Sequence, residues 1–150
     1  MVIADRPDGE RAGPSAAELA DVFGRVAKIL ARKFDERLGE VGVSFPRARV
    51  LVEVSRVGPV RVTDVASAVG IAQGTASTLL DALVRDGLVA RTEDPADRRA
   101  TRMVATPQGQ QQAKSWLQAY EAAADELFAL LPRSRWSELI DIMSILGNQE

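Results

Sequence analysis

Apolar residues recur every three or four positions over much of the chain, which is the period of helices that pack through one face. The first such run follows Ser15, a residue type that favours helix starts, and ends near Gly39. Its stripe is longer than the core of a small domain needs, so we predict a helix that pairs with a second chain. An ordinary core-facing helix is the alternative. The stripe comprises Leu19, Val22, Phe23, Val26, Leu30, Phe34 and Leu38.

A second helix is predicted to begin at Ser44 and to end before Gly58-Pro59. Ser44 can cap it, and Pro46 is tolerated near the start because its missing N–H would have no partner there. Proline at the far end cannot continue a helix. The side chains expected to face inward are those of Val50, Leu51 and Val54.

Two further helices follow with a very short turn between them. Thr63 is the expected cap of the first, and Gly70 supplies the left-handed residue that ends it. The second is predicted over residues 73–86, with Gly87 as its C-terminal cap. Helices joined by so short a turn cross steeply, so the pattern is that of a helix-turn-helix.

The pattern then changes to alternation. Residues 88–90 and 100–105 are predicted strands, and the polar segment 92–99 forms the tip between them. We therefore expect a small β-hairpin, which we call the wing. The predicted fold is mainly α with this single hairpin.

Two helices complete the chain. Thr106 is a suitable cap with Pro107 at the first helical position, and helical spacing then persists as far as Leu131. Pro132 interrupts it. A last helix is predicted from Trp136 to Leu146, and Gly147 follows it.

Composition narrows the function. A chain of 150 residues with 46% hydrophobic content favours a single domain. It has neither cysteine nor histidine, which excludes thiol chemistry, an imidazole base and the usual structural zinc sites. No apolar run reaches the length of a membrane span, so we expect a cytoplasmic protein without a membrane partner. We expect no metal, no cofactor and no catalytic residues.

Charge is distributed unevenly along the chain. The net charge is −2, but residues 44–102 carry nine Arg or Lys against seven Asp or Glu, an excess of +2. Any affinity for DNA must therefore come from a few well-placed arginines, doubled by dimerisation.

The stretch LLDALVRDGLVARTEDPADRRATRMVATPQG resembles the signature of the MarR family of bacterial winged helix-turn-helix regulators. The resemblance implies a dimer in which the first and the last two helices interlock while each winged helix-turn-helix meets half of a pseudo-palindromic operator. The expected organisation is a flexible tail (1–14), a dimerisation helix (15–43), a DNA-binding region (44–106) and C-terminal dimerisation helices (107–150). Ala72 stands where the family often has serine or threonine, so capping of the recognition helix (73–86) is weak.

On the recognition helix, the polar side of the first two turns is expected to approach the major groove. Ser77 and Thr78 align with base-contacting positions of the family. A solvated polar face, or phosphate contacts only, is the alternative. The candidate residues are Gln73, Thr75, Ser77 and Thr78.

In the wing, the resemblance implies that Asp97 orients the hairpin while Arg99 enters the minor groove, supported by Arg98. The alternative is a surface ion pair that merely stabilises a hairpin. Four further arginines are candidates for phosphate contacts, namely Arg47, Arg49, Arg91 and Arg102, and Arg61 has the same ambiguity between such a contact and a solvated charge.

Members of the family commonly sense small aromatic or phenolic effectors in a cleft between the dimerisation helices and the DNA-binding lobe. The candidate cleft residues are Phe34, Phe45, Trp116 and Tyr120. Aromatic residues at helical spacing are more often core, which is the alternative for each of them.

Three functions compete. The first is a transcriptional regulator, usually a repressor, whose partners are double-stranded DNA, a second copy of the chain and a small effector. The second is a winged-helix module that binds protein without specific DNA binding, which would explain the nearly neutral recognition face. An enzyme is third, because no set of residues with catalytic spacing can be named.

Overall fold

The computed structural model describes residues 13–148, so most of the predicted tail, residues 1–12, lies outside the described part. Within it the chain forms six helices and one three-stranded sheet. The helices are α1 (Ala16–Gly39), α2 (Phe45–Val57), α3 (Val62–Val69), α4 (Gln73–Arg85), α5 (Pro107–Phe128) and α6 (Trp136–Gly147), and a 3₁₀ turn at Arg133–Arg135 precedes α6. The strands are β1 (Val60–Arg61), β2 (Val89–Asp94) and β3 (Asp97–Ala105). The predicted mainly helical fold with a β-hairpin wing is confirmed.

Several helix boundaries follow from the capping residues named above. The Ser15 hydroxyl accepts from the Glu18 N–H at 3.1 Å, and the Glu18 carboxylate accepts from the Ser15 N–H at 2.8 Å, which is a complete capping box. Ser44 and Thr106 cap α2 and α5 in the same way, through the N–H of the third helical residue. Gly70 ends α3 with φ at 77°, a left-handed conformation that glycine adopts without strain.

Thr63 does not cap α3, contrary to the prediction. The helix begins at Val62 and its cap position is Arg61, two residues before Thr63, and Arg61 makes no side-chain capping bond. The reason is that the chain enters α3 directly from β1, so the helix start is fixed by the sheet rather than by a polar side chain.

Helix α5 differs from the prediction at its C-terminal end. It ends at Phe128, so Leu131 lies outside the helix.

The sheet is larger than predicted. Its order is β1-β3-β2 and both pairings are antiparallel, with Val60 opposite Met103 and Val89 opposite Ala105. The hairpin also extends further than residues 88–90 and 100–105, because most of the polar segment 92–99 is strand. Its turn is reduced to residues 95 and 96.

The core lies where the helix-turn-helix, the sheet and α5 meet. Val65 of α3 and Leu80 and Leu83 of α4 have no exposed surface, as expected for the packing face of a helix-turn-helix. Trp116 brings α5 into the same cluster. The other large buried side chains of this core are Leu38, Val50, Leu51, Val54, Leu88, Val89 and Met103.

The start of α5 is joined to the end of the helix-turn-helix through backbone contacts. Thr106 donates its hydroxyl to the Gly87 carbonyl at 2.7 Å and accepts from the Gly109 N–H at 3.0 Å. The Thr106 N–H donates to the Leu88 carbonyl at 3.1 Å. A Cβ atom on Gly109 would lie 1.9 Å from the Leu88 oxygen, so only glycine fits there. This explains physically why a Thr-Pro-x-Gly sequence stands at this point.

Gly109→Ala is expected to destabilise the chain by about 1–3 kcal/mol, because the backbone of Leu88 or of α5 must move to admit the methyl group. Chemical denaturation followed by circular dichroism measures this. Gly74→Ala is the matched control, since Gly74 is also helical but its added Cβ would meet no atom within 4 Å. Equal stability of the Gly109 variant and the wild type would contradict the close approach.

Candidate nucleic-acid interface

Helix α4 divides cleanly into a buried and a polar side. Ala76, Leu80 and Leu83 are buried. The first two turns of the helix also carry exposed polar side chains. These belong to the four predicted residues Gln73, Thr75, Ser77 and Thr78. The structure thus brings all four together on the solvent side of the second helix of the helix-turn-helix.

The first turn of α4 is weakly capped, as its sequence indicated. Ala72 occupies the cap position in an extended conformation and provides no side-chain acceptor. The Thr78 hydroxyl donates to the Gly74 carbonyl one turn earlier, at 3.0 Å. Because the Thr78 hydroxyl already donates this hydrogen bond, it can only accept one from a ligand. The exposed hydroxyl of Ser77 can still donate a hydrogen bond.

The wing contains a break in its ladder that displays two arginines. Regular pairing runs as far as Glu93 opposite Thr101, and the next pair is Asp94 opposite Asp97. Residues 98–100 therefore have no partner on β2 and form a bulge, which re-aims side chains. Arg98 and Arg99 are exposed there, and neither guanidinium pairs with a carboxylate within residues 13–148.

Asp97 contacts the backbone of Arg99 rather than its side chain. Its Oδ1 accepts from the Arg99 N–H at 3.0 Å. The described residues therefore show no Asp97–Arg99 ion pair, and the Arg99 guanidinium stays available to a ligand.

Asp94 is the wing residue that sequence reasoning missed. It is buried, its Oδ2 accepts from Arg61 Nε at 2.7 Å and lies 2.6 Å from Arg61 Nη2 in an ion pair, and its Oδ1 accepts from the Ala96 N–H at 2.9 Å. The Ala96 hydrogen bond first, and then Arg61, hold the pKa of Asp94 below its ordinary value. Asp94 in turn raises the pKa of Arg61. The sequence placed Asp94 in a polar loop and gave no sign that its side chain is buried. Its partner Arg61 lies on β1, which had not been predicted.

The other predicted arginines occupy different surroundings. Arg91 forms an exposed ion pair with Asp81 of α4. Arg102 is half-buried and its Nε has no hydrogen-bond partner among the described residues. Arg47 and Arg49 lie on α2, beside aromatic side chains of α5. The structure therefore groups only Arg91, Arg98, Arg99 and Arg102 on the wing.

Arg47 connects α5 to the end of α4. Its guanidinium lies 5.7 Å from the centre of the Trp116 ring and donates to Asp86, the residue that follows α4, at 2.5 Å. Arg49 lies over two other rings, 5.8 Å from Phe45 and 5.6 Å from Tyr120. Both arginines thus stand at the boundary between the helix-turn-helix and α5.

The predicted cleft aromatics form a compact stack. Phe34 of α1 lies 5.1 Å from Phe45 and 5.0 Å from Tyr120, measured between ring centres. Trp116 is separately buried in the core. The hollow beside Tyr120 and Trp116 measures about 40 Å³, which holds about one water molecule, whereas ligand pockets usually measure about 300 Å³ or more. The hollow beside these two rings is therefore too small for a drug-sized molecule.

Two helices leave large apolar side chains in solvent. Of the predicted stripe of α1, only Phe34 and Leu38 are buried. Helix α6 has no buried residue. The exposed apolar residues of these two helices include Leu19, Val22, Phe23, Val26, Ile29, Leu139, Ile140, Ile142, Met143 and Leu146. Surfaces of this kind mark sites of association.

Residues 13–148 contain neither a helix suited to crossing a membrane nor a metal-binding cluster. None of the helices there combines the length and the apolar character that crossing a membrane requires. The same residues contain no cluster of three or more carboxylates that could hold a metal ion.

A pair of contacting helices joined by a three-residue turn and followed by a hairpin with exposed arginines defines a winged helix-turn-helix protein. The model of the MarR family matches residues 41–100, which span α2 through most of the wing. Over this segment, 60 of the 150 residues, the chain is similar to the MarR family of transcriptional regulators.

One relative and two solved proteins show how far the similarity extends. The HTH-type transcriptional regulator YsmB of Bacillus subtilis is 26% identical over 126 residues, covering 79% of this chain and 86% of its own. CouR of Rhodococcus jostii bound to p-coumaroyl-CoA has a TM-score of 0.79 at 23% identity, covering 93% of this chain and 98% of its own. BpsR of Bordetella bronchiseptica, regulated by 6-hydroxynicotinic acid, has a TM-score of 0.80 at 20% identity, covering 92% of this chain and all of its own. The fold therefore extends over nearly the whole chain.

Proposed function

We propose that the chain is a homodimeric regulator that binds a pseudo-palindromic operator and is released from it by a small aromatic effector. The observation that carries the proposal is the wing bulge, where Arg98 and Arg99 are exposed and pair with no acidic residue of the described range 13–148. CouR, with the same fold, has been crystallised on a 23-mer DNA duplex. That structure supports DNA as the ligand of this surface.

The polar side of α4 suits the major groove of DNA, and the wing suits the minor groove. Gln73 can form a bidentate pair with adenine, and Ser77 and Thr78 can contact base edges or phosphates. Arg99 suits the minor groove, where narrow A·T stretches concentrate negative potential. Arg98, Arg91 and Arg102 supply phosphate contacts, although Arg91 must exchange Asp81 for the phosphate. Arg47 and Arg49 serve a different purpose in this proposal.

Dimerisation would cover the apolar surfaces of α1 and α6. A side chain such as Ile140, 59% exposed, has no function in a monomer and costs solubility there. Pairing through these helices leaves α4 and the wing free. A two-fold dimer then places its two recognition helices in successive major grooves, with half-site centres about 34 Å apart.

The effector would enter between α2 and α5, at the stack of Phe34, Phe45 and Tyr120. Because the hollow there admits about one water molecule, an aromatic molecule must displace a ring or part the two helices. Arg47 would transmit such a movement, since it contacts Trp116 in the cleft and Asp86 at the end of α4. The effectors of CouR and BpsR, p-coumaroyl-CoA and 6-hydroxynicotinic acid, are aromatic too, which supports this class.

DNA binding is tested by fluorescence anisotropy on duplexes from the chain's own upstream region and on scrambled duplexes, across a salt series. We expect tight binding to one upstream duplex, and we expect Arg99→Ala to weaken it about tenfold or more and to reduce the salt slope by about one. The control is Arg56→Ala, an exposed α2 arginine paired with Glu53.

Equal, weak binding of every duplex by the wild type would contradict specific DNA binding. It would favour a winged-helix module that binds protein, which the lack of a basic residue among the exposed residues of α4's first two turns would then explain.

Dimerisation is tested by sedimentation velocity at micromolar concentration. Ile140→Glu is expected to convert a dimer into a monomer, because the interface would have to bury a carboxylate. Val57→Glu, at an exposed apolar position outside α1 and α6, should leave the dimer intact. A monomeric wild type, or a fully dimeric Ile140 variant, would contradict the proposed interface.

Effector response is tested by adding hydroxybenzoates and hydroxycinnamates to the protein–DNA complex. We expect at least one of these acids to release the DNA, and Tyr120→Ala to lower the response about tenfold, because a ring of the cleft is lost. Affinity for DNA without effector should change less than about twofold. An unchanged response in the Tyr120 variant would exclude this cleft.

A further inference from the structure

We infer that Arg61 and Asp94 form a positioning pair that holds the wing bulge, and with it Arg99, in the orientation that DNA requires. The inference rests on the proposed DNA binding. It assigns Arg61 a structural task in place of a phosphate contact, and it adds Asp94 to the residues on which binding depends.

The carboxylate of Asp94 uses both oxygens, and its partners lie on different parts of the chain. Oδ2 accepts from Nε of Arg61 on β1 and forms an ion pair with that guanidinium, and Oδ1 accepts from the Ala96 N–H in the hairpin turn. Its side chain is only 6% exposed, against 46% for Arg61. Asp94 therefore ties the turn of the hairpin to the strand on the far side of the sheet.

Asp94 lies at the point where the regular pairing of β2 with β3 ends. Glu93 opposite Thr101 is the last regular pair, and Asp94 pairs with Asp97 after a shift that leaves residues 98–100 unmatched. Ladder hydrogen bonds to β2 cannot fix the direction of Arg98 or Arg99. The end of the bulge nearest the hairpin turn is held instead by two aspartates: Asp94 is bound by Arg61 and the Ala96 N–H, and Asp97 Oδ1 accepts from the Arg99 N–H.

Arg61 also joins the wing to the start of the helix-turn-helix. It occupies the cap position of α3, so the guanidinium that binds the hairpin belongs to the residue where the helix-turn-helix begins. The wing tip and the start of α3 are thereby connected by a charge-assisted contact with defined geometry. Without it, the hairpin turn is attached to the rest of the molecule only through its own strands.

The negative charge of Asp94 compensates the positive charges of two neighbouring arginines. Arg61 lies directly opposite Arg102 in the β1–β3 register, and the carboxylate of Asp94 is attracted by both. Removing the carboxylate leaves two like charges facing each other across neighbouring strands, which is unfavourable. We expect the hairpin tip to move away from this position when Asp94 is neutral.

A double-mutant cycle separates positioning from general stability. DNA affinity is measured for the wild type, Asp94→Asn, Arg99→Ala and the double variant on the same operator duplex. We expect Asp94→Asn to weaken binding about tenfold in the wild type and less than about twofold in the Arg99→Ala background, because its effect acts through Arg99. Glu53→Gln, which removes the ion pair with Arg56 on α2, is the matched control, with a change under about twofold.

A second variant tests the geometry itself. Arg61→Asp combined with Asp94→Arg restores a pair of opposite charge, and we expect it to recover at least part of the affinity that Asp94→Asn loses. Circular dichroism and thermal unfolding of each variant establish that the fold persists.

The outcomes distinguish the inference from the function on which it rests. Equal losses on Asp94→Asn with and without Arg99 would mean a general loss of stability and would overturn positioning. Unchanged affinity in Asp94→Asn, with Arg99→Ala still weakened, would overturn it too while leaving DNA binding intact. Failure of the wild type to bind any duplex specifically would instead reject the proposed function.

Discussion

Helix α5 passes the Leu88 carbonyl so closely at Gly109 that no side chain fits between them. Thr106 completes this junction by donating to Gly87 and by capping α5. The end of the helix-turn-helix, the first residue before β2 and the start of the long C-terminal helix thereby become one rigid unit. Everything that α5 contacts, including the aromatic stack, is placed relative to α4 by these few backbone atoms.

The arginines of the chain fall into two groups with different surroundings. Arg47, Arg61 and Arg91 are already engaged by aspartates, and these pairs connect one element to another. Arg98 and Arg99 have no such partner among the described residues and face solvent. A chain with a net charge of −2 can therefore still present a local cationic surface. The reason is that most of its acidic residues either pair with arginines that connect two elements or lie in other parts of the chain.

The sequence allowed the helices to be predicted well because their signals are local. Ser15, Ser44 and Thr106 each cap the helix that was assigned to them, and the buried face of α4 follows from its spacing. Strand β1 was missed because two residues carry no period. Asp94 was missed with it, since its burial depends on Arg61, which is 33 positions away. The predicted residues of the first two turns of α4 are exposed, as their spacing indicated, whereas the distinction between engaged and free arginines required tertiary contacts.

The regular part of the wing and its tip are independent in one respect. Pairing from Val89 with Ala105 to Glu93 with Thr101 keeps a constant register, and the three extra residues lie entirely beyond it. A tip of different length or composition can therefore be grafted between Asp94 and Thr101 without turning any core-facing side chain of β2 or β3 outward. The hairpin acts as an interchangeable cassette, so related chains can diversify what the wing contacts while they keep the same hydrophobic core.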